Sequence, residues 1–511
     1  MRKALKLILI LILSMGIASL SSAQTQTGSV SGNVTDNEGT PLPGASVTLS
    51  GPNLMGTLSY LTTEEGDFRF PSVPPGRSYT VAVELSGFKK VVRGELIVNV
   101  GKTTRLVITL EPTTLSEEIT VTAPSPTVDV TATKQAVTYS ADLLANIPLA
   151  RTYQELIATA PGTVSTGLTG YTPAYYVHGS GYRTNLVSVD GAIISDRALG
   201  SPGLQLPFDI LEEVEMELGA HPAEVGMTEG AYINIVSKSG GNEFHGSVLG
   251  YFFNRDMARS LIPPAEVKAA GLTAPQGLKQ YYDYSGTLGG PVLKDKLWFF
   301  LNGRISGSKN TNETYLDGIY DLPEDNLWGF SKLTFQLTHN IKLTAMGSLR
   351  VYDRPFESVS YYSNKLSTRY TDNGKDYVGT GIVNWVIDQN TFMDLKFGGQ
   401  GIYYPRYFHP DAVRPPTDQP SIITDRYTGF TNGLCRWEDE LNRYQLQGSV
   451  SFNHFMDDFL GGDHELKAGA EYEKAWVDNP IWTPYAIQTL WTWKGLPWGY
   501  HDAVPYMGYF F

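Results

Sequence analysis

The sequence has 511 residues and a formal net charge of −13, enough chain for several domains of roughly 100–200 residues each. The acidic balance argues against a nucleic-acid-binding protein. Aromatic residues make up 12% of the chain and charged residues only 18%, a mixture that is unusual for a cytosolic enzyme and typical of β-structure that faces lipid.

The first 23 residues predict a secretory signal peptide. Arg2, Lys3 and Lys6 form a positively charged n-region. It is followed by an apolar core at 7–13 and by a small-residue cleavage site at 21–23 (Ser-Ser-Ala). No later apolar run approaches the ~20 residues that a membrane-spanning helix needs. If the exported chain enters a membrane, it must therefore do so as a closed β-barrel.

Residues 24–112 predict a small β-sandwich. Short alternating strands such as GASVTLSG and YTVAVELSG are separated by turn clusters such as DNEGTPLPG and VPPGRS. The segment resembles the carboxypeptidase regulatory-like domain in its turn before a Val-rich strand, its Gly-x-Phe-x-Phe strand and its Pro-Gly-x-x-Tyr turn. The resemblance implies a sandwich attached to a larger protein, without peptidase chemistry of its own.

Residues 113–131 form a linker rich in Thr, Pro and Val that contains the stretch SEEITVTA. Ile119, Val121 and Ala123 alternate with Thr120 and Thr122, which predicts one β-strand. The Pro-Ser-Pro that follows excludes a tight hairpin partner, so we expect a strand with nothing local to pair with. The exposed edge of such a strand recruits another chain.

Residues 132–243 mix helix and strand signals and predict an α+β domain. ADLLANIPLARTYQELIATAPG places apolar residues at helical spacing and ends at Pro-Gly. NLVSVDGAIISD predicts two short strands around a turn at Asp190 and Gly191.

From 244 to 511 the sequence changes to long alternating strands of about 9–13 residues, the length of a tilted strand that crosses a bilayer. In IKLTAMGSLRVY, Leu343 and Leu349 fall on an apolar face, and Lys342 and Arg350 on the opposite face. KLTFQLT, TFMDLKFGGQGIYY and YQLQGSVSFN alternate in the same way.

A large soluble sandwich is the alternative for these strands. Their length exceeds the ~5–6 residues usual in globular sheets. Aromatic residues also crowd the strand ends, as in DKLWFFLNGR and GIYYPRYF, where the interfacial girdles of a membrane barrel lie. Both features favour the barrel.

Taken in order, these segments resemble a TonB-dependent receptor of the outer membrane, of the Oar-like kind. EEITVTA resembles the TonB box, which assigns TonB binding to Ile119, Thr120, Val121, Thr122 and Ala123. NIPLARTYQELIATAPGTV, VSVDGAIISD and EEVEMELGAHPAEVGMTEGAYINIVSKSGGNEFHGS resemble the plug domain, and YYDYSGTLGGPVLKDKLWFFLNGR the first barrel hairpin. The resemblance implies a mainly β protein of the outer membrane with a periplasmic N-terminal domain. Its implied partners are a TonB-type energy-coupling protein, outer-membrane lipid and an unknown extracellular substrate.

Residues 244–511 hold about nine or ten barrel strands, whereas transporters of this class have 22. At about 4.8 Å between strands, ten strands close with a radius near 10 Å, too narrow for a plug of roughly 18 Å radius. We therefore expect the sequence to be a fragment that stops inside the barrel.

No catalytic, cofactor-binding or metal-binding motif stands out. The eight histidines are scattered without the i, i+4 spacing of a helical metal site, and His178 replaces the first Gly that a G-x-S-x-G motif around Ser180 would need. The single cysteine, Cys435, cannot form an internal disulfide. We expect a transporter rather than an enzyme. The open alternative is an adhesion or structural protein of the outer membrane on the same scaffold.

Overall fold

The computed structural model describes residues 27–509 except 55, 113–117, 122–134, 148, 150, 170–171, 197–200, 222–224, 227, 258–263, 270–276, 315–317, 358–364, 389, 413–421, 436–437, 460–461, 483–486, 494–495 and 504–507. The predicted signal peptide and the box residues Thr122 and Ala123 lie outside these described residues.

The N-terminal unit is a β-sandwich, as the sequence predicts. Its strands are β1 (Gly28–Asp36), β2 (Ser46–Ser50), β3 (Leu58–Leu61), β4 (Asp67–Val73), β5 (Gly76–Glu84), β6 (Lys90–Val98), β7 (Thr103–Leu110) and β8 (Glu118–Val121). One sheet has the order β4-β1-β7, and the other has the order β3-β2-β5-β6-β8. In β5 the alternation buries Tyr79, Val81 and Val83 between the two sheets, while the residues between them stay at least partly exposed.

The second unit contains β9 (Gln135–Ser140), α1 (Ala141–Asn146), α2 (Tyr153–Ile157), β10 (Thr163–Thr169), β11 (Thr172–Val177), β12 (Leu186–Val189), β13 (Ala192–Ile193), β14 (Ser195–Asp196), β15 (Ser201–Pro202), β16 (Leu211–Gly219) and β17 (Tyr232–Ser237). Its main sheet has the order β13-β12-β17-β16-β9. The predicted turn is confirmed: Asp190 and Gly191 both have positive φ, 43° and 76°, and join β12 to β13 as a tight hairpin.

The predicted helical stretch forms two short helices, α1 and α2, with a break between them. Ile147 ends α1 in an extended conformation with ψ of 127°, because the ring of Pro148 disfavours the helical region for the residue before it. Among the described residues, no helix is both long and apolar enough to cross a membrane.

The third unit is a meander of long strands, the partial antiparallel barrel that the sequence predicts. In chain order the unit comprises β18 (His245–Asn254), α3 (Pro264–Ala269), β19 (Gly277–Leu293), β20 (Leu297–Thr314), β21 (Gly318–Thr338), β22 (Ile341–Glu357), β23 (Arg369–Val386), β24 (Thr391–Tyr403), β25 (Pro405–Phe408), β26 (Ile422–Asp425), β27 (Thr431–Gly433), β28 (Glu438–Glu440), β29 (Asn442–Phe459), β30 (Gly462–Asp478), β31 (Pro480–Trp482), β32 (Ile487–Trp493), β33 (Leu496–Ala503) and β34 (Gly508–Tyr509). The long strands β18 to β24, β29 and β30 pair consecutively and antiparallel.

The connections at the two ends of this meander differ in length. One end has tight turns of residues 294–296 and 339–340, and the other has longer segments such as 255–276 and 404–441. In outer-membrane barrels the short turns are periplasmic and the long loops extracellular. The long strands have 10 to 21 residues, and all except β18 and β24 exceed the predicted 9–13. Only part of the longer strands can therefore lie within the bilayer.

The two faces of the long strands are as predicted. In β22, Leu349 is 46% exposed on the outer face, whereas Arg350 beside it is 3% exposed on the inner face. One assignment was wrong: the stretch at 281–304 forms the second and third strands, β19 and β20, because β18 precedes and pairs with β19.

The interior of the partial barrel holds the second unit. Inward-facing Phe300, Phe330, Met346 and Val378 belong to the same hydrophobic core as Leu156 of α2. The second unit therefore packs directly on the inner surface of the strands.

Candidate functional site

The segment that resembles a TonB box lies on the sandwich. Its described part, β8, pairs in parallel with β6, and the register joins Val91 to Ile119, Val92 to Thr120 and Arg93 to Val121. The expectation of a strand without a local partner was therefore wrong.

The route of the chain explains why the sequence did not reveal this partner. Prolines after the segment exclude a hairpin, but β6 and β8 are parallel, and a parallel pair needs a crossover connection instead of a turn. Strand β7, which belongs to the opposite sheet, is part of this crossover connection. The end of the crossover is fixed beside β6, since the N–H of Lys89 donates to the carbonyl of Glu111 over 2.8 Å.

The β8 strand occupies the end of its sheet, with one edge paired to β6. On the other side of the connection to the second unit, β9 is also a terminal strand, paired to β16. Residues 122–134 join these two edge strands directly. A force applied at β8 therefore acts on β9, which is hydrogen-bonded to its sheet along one edge only.

The sandwich is fastened to the second unit by a buried hydrogen bond. The N–H of Val100, between β6 and β7, donates to Oε1 of Glu213 on β16 over 2.8 Å. Burial raises the pKa of the Glu213 carboxyl to about 7, the Val100 N–H opposes this shift, and the neighbouring Glu215 carboxylate adds to it.

Two side chains of the sandwich make further polar contacts across the same interface. Arg77 on β5 forms an ion pair with Asp142 of α1 and donates to Oγ of Ser140 over 3.0 Å. Lys102 Nζ donates to Oγ1 of Thr138 on β9 over 3.0 Å. Residues of both α1 and β9 therefore contact the sandwich.

A buried ion cluster fastens the second unit to the strands around it. Nη2 of Arg151, between α1 and α2, lies 2.6 Å from Asp209, and its Nε lies 3.0 Å from Asp283 of β19. Arg304 of β20 reaches the same Asp283 carboxylate at 2.8 Å. The side chain of Asp283 is 0% exposed, so both guanidinium groups share one fully desolvated anion.

Other anchors lie along the inner wall. Lys332 Nζ of β21 is 3.1 Å from Asp190 and 3.0 Å from the carbonyl of Ser237. The side chain of Gln447 on β29 accepts from the N–H of Ile193 over 2.9 Å and donates to its carbonyl over 3.2 Å.

Arg443, also on β29, forms an ion pair with Asp196. The second unit is thus held by inward-facing side chains from several different strands of the meander.

The candidate site therefore consists of two edge strands, β8 and β9, and of ion pairs that hold the second unit to its neighbours. Within the described ranges, no group of three or more His, Cys, Asp and Glu side chains is placed to hold a metal ion. The geometry provides backbone pairing at β8. It also provides polar contacts that hold the second unit to the sandwich and to the barrel strands.

Comparison with protein families assigns the three units. The model of the carboxypeptidase regulatory-like domain matches residues 29–111, that of the TonB-dependent receptor plug domain matches 129–231, and that of an outer membrane beta barrel domain matches 236–321. A stretch of 301 residues, 57% of the chain, is 31% identical to the TonB-dependent transporter Oar of Myxococcus xanthus. The chain has the domains of a TonB-dependent receptor of the outer membrane.

Two other proteins are similar to parts of the chain. The receptor is 29% identical over 149 residues, 25% of its chain, to the ferrienterobactin receptor of Escherichia coli K12. The crystal structure of the outer membrane transporter YddB from Escherichia coli shares its fold with a TM-score of 0.54 at 16% identity, over 73% of the receptor chain. The matched part spans 28% of Oar, 20% of the ferrienterobactin receptor and 52% of the YddB chain.

The sequence pointed to Ile119–Ala123 but not to the residues that hold this segment and the plug. The inward charges of the barrel were the available signal. Asp283, Arg304 and Lys332 are buried on the inner face of a strand, and a buried charge needs a partner. The plug residues that pair with these charges lie 95 or more residues away from Lys332 and 132 residues away from Asp283, a separation that no local pattern specifies.

Proposed function

We propose that the receptor moves a bulky substrate across the outer membrane with energy from a TonB-type periplasmic protein. That partner pairs with the backbone of Ile119–Ala123 by strand addition and pulls. Thr122 and Ala123 belong to the proposal by sequence alone, since they lie outside the described residues.

The observation that carries the proposal is the direct connection between β8 and β9. Strand β8 ends at Val121 and β9 begins at Gln135 as the edge of the plug sheet. A pull on the box therefore reaches the plug through an edge strand, which is held by a single ladder.

The packing of the plug supports a gated pathway for a large substrate. Its core is continuous with inward side chains such as Phe300 and Phe330, so passage requires the plug to move or rearrange. The ion cluster around Asp283 and the Lys332–Asp190 pair are contacts that such a movement must break.

Deletion of residues 117–123 tests transport against the alternative of adhesion. A molecule that binds to the surface of receptor-expressing cells serves as the probe. The proposal predicts that the deletion abolishes its entry into the periplasm while surface binding persists. Entry at the original rate would exclude energy coupling through the box, whereas surface binding without entry in the unaltered receptor would favour the adhesion alternative.

A matched substitution controls for loss of folding. Val121→Thr keeps the backbone N–H and a β-branched side chain, so a box recognised through its backbone should tolerate it. Uptake by this variant should stay within about twofold of that of the unaltered receptor.

A further inference from the structure

We propose that the docked sandwich is a latch on the plug. It holds the edge strand β9 in place and covers the short-turn end of the barrel, so that it must undock before the plug can move. The latch consists of the contacts that Arg77, Val100 and Lys102 make with the plug. The proposal rests on the proposed function, since it assumes that a pull on the box acts on β9.

The latch joins both strands of the ladder that holds β9. Ser140 of β9 and Glu213 of β16 are direct partners in that ladder. Arg77 donates to Oγ of Ser140 over 3.0 Å, and the N–H of Val100 donates to Oε1 of Glu213 over 2.8 Å. Because the same sandwich is hydrogen-bonded to both strands, the two strands separate only after these contacts have broken.

A third contact lies two residues away on β9. Lys102 Nζ donates to Oγ1 of Thr138 over 3.0 Å, and Thr138 is the ladder partner of Glu215. The Arg77 guanidinium also forms an ion pair with Asp142 of α1. The sandwich therefore holds β9 and the helix that follows it, which are the described elements of the plug nearest to the box in the chain.

The sandwich also reaches the barrel near its first strand and near the last long strands. The carbonyl oxygen of Pro52 lies 3.2 Å from the position of a Cβ atom at Gly241, just before β18. The Arg69 guanidinium lies over the Phe455 ring of β29 at 4.4 Å, and the N–H of Phe455 donates to Asn390 in the short turn before β24. A substrate that leaves the barrel at the short-turn end therefore has to pass the sandwich.

The sandwich can separate without opening a hydrophobic core. In the described residues its buried apolar cluster contains no residue of the plug, whereas the cluster of the plug includes Phe300 and Phe330 of the barrel. Where the three units meet, a cavity of about 80 Å³ has Asn53, Asp190 and Lys342 in its wall. Polar interfaces of this kind allow domains to move relative to each other, so the sandwich should undock more readily than the plug.

The position of the box explains how one pull opens the latch. Residues 119–123 lie between the main part of the sandwich and β9 in the chain, so a force applied there acts on both. Polar contacts hold the sandwich, and those same contacts brace the ladder of β9. The expected order is therefore undocking of the sandwich, followed by separation of β9 from β16.

Pulling on single receptors through the box tests this order. The full-length receptor in a lipid nanodisc is anchored by a C-terminal tag, and a DNA handle is attached at Thr120→Cys in a Cys435→Ser background. The test variant adds Arg77→Ala and Lys102→Ala, which remove the side-chain contacts of the latch. At constant force, we expect the extension step in which β9 separates to occur at least tenfold faster in this variant than with the latch intact.

The control is Arg105→Ala, which removes a positive charge from an exposed position on β7. Its rate should stay within about twofold of the rate with the latch intact. The Arg77 side chain is 47% exposed, so its replacement leaves the core of the sandwich in place. Equal rates for the latch variant and the control would overturn the proposal.

A second handle separates this proposal from the proposed function. A bead that carries the purified periplasmic domain of the cognate TonB-type protein replaces the DNA handle on the Cys435→Ser receptor. If this domain does not capture the receptor, the proposed function fails, while the covalent handle still measures the latch. If it captures the receptor but β9 separates no faster in the latch variant, the latch fails and the proposed function stands.

Discussion

The N–H of Val100 in the sandwich donates a hydrogen bond of 2.8 Å to the Glu213 carboxyl in the plug, 113 residues away. Glu213 is 4% exposed, so its ionised form has lost almost all contact with water. Docking of the sandwich on the plug is therefore linked to the protonation of one carboxyl group.

We expect docking to weaken as the pH rises. The pKa of Glu213 is about 7 in the docked state, against 4.5 for a solvated glutamate. Below pH 4.5 the carboxyl is neutral in both states and docking carries no ionisation penalty. Between pH 4.5 and 7 the undocked state loses its proton first, so docking loses up to about 3 kcal/mol.

Spin labels at Glu38→Cys and Ala145→Cys, in a Cys435→Ser background, measure this effect. Both positions are exposed, one on the sandwich and one on α1. The distance distribution should broaden from pH 5.5 to pH 8, and Glu213→Gln, which keeps the acceptor oxygen without the charge, should remove the change. Identical distributions at both pH values with Glu213 present would contradict the linkage.

Asp283→Asn should strongly weaken the packing of the plug against the barrel strands. The substitution leaves the guanidinium groups of Arg151 and Arg304 without their shared charge partner, and breaking a buried pair in this way costs about 3–5 kcal/mol. The midpoint of urea unfolding, measured in detergent, should fall accordingly.

The control for this substitution is Asp321→Asn. Asp321 pairs with Lys279 at 2.8 Å, but the two side chains are 35% and 50% exposed, so the expected loss is below about 1 kcal/mol. Equal losses for the two variants would show that the buried cluster does not hold the plug.

Leu349→Arg should impair barrel assembly. Leu349 lies on the outer face of β22, where a charge near the bilayer midplane costs about 2–4 kcal/mol. Leu343→Arg should act in the same direction with a magnitude set by its depth, and Lys342→Leu, on the inner face, should be tolerated. The folded fraction in outer-membrane preparations checks all three. Protection of a probe at Leu343 from lipid-borne quenchers would contradict a lipid-facing position.

The period-two pattern predicted the barrel faces because it is local: Leu349 and Arg350 are adjacent, and alternation alone puts them on opposite sides. The turn at Asp190–Gly191 was predictable for the same reason. Pro148 carried the signal for the helix break, since the preceding Ile147 is forced out of the helical region. Local signals thus fixed faces, turns and ends of elements.

The pairing of β8 with β6 could not be predicted in this way. A parallel partner is chosen by the path of β7 through the other sheet, and the sequence of β8 shows only that a strand forms. The same holds for Val100 and Glu213, whose contact depends on how two separately folded units meet. Both of these features come from tertiary packing rather than from a repeating pattern.

We propose that a TonB-type protein pulls this receptor by pairing with the backbone of the box. Val121→Pro tests it directly, because proline removes a ladder N–H and fixes φ. The measurement is the yield of crosslinking in cells between TonB and a photoreactive residue at Thr120, with Val121→Thr as the control. We expect crosslinking to collapse in the proline variant and to persist in the threonine variant, while the barrel still assembles. Crosslinking of the proline variant at the unaltered yield would contradict it.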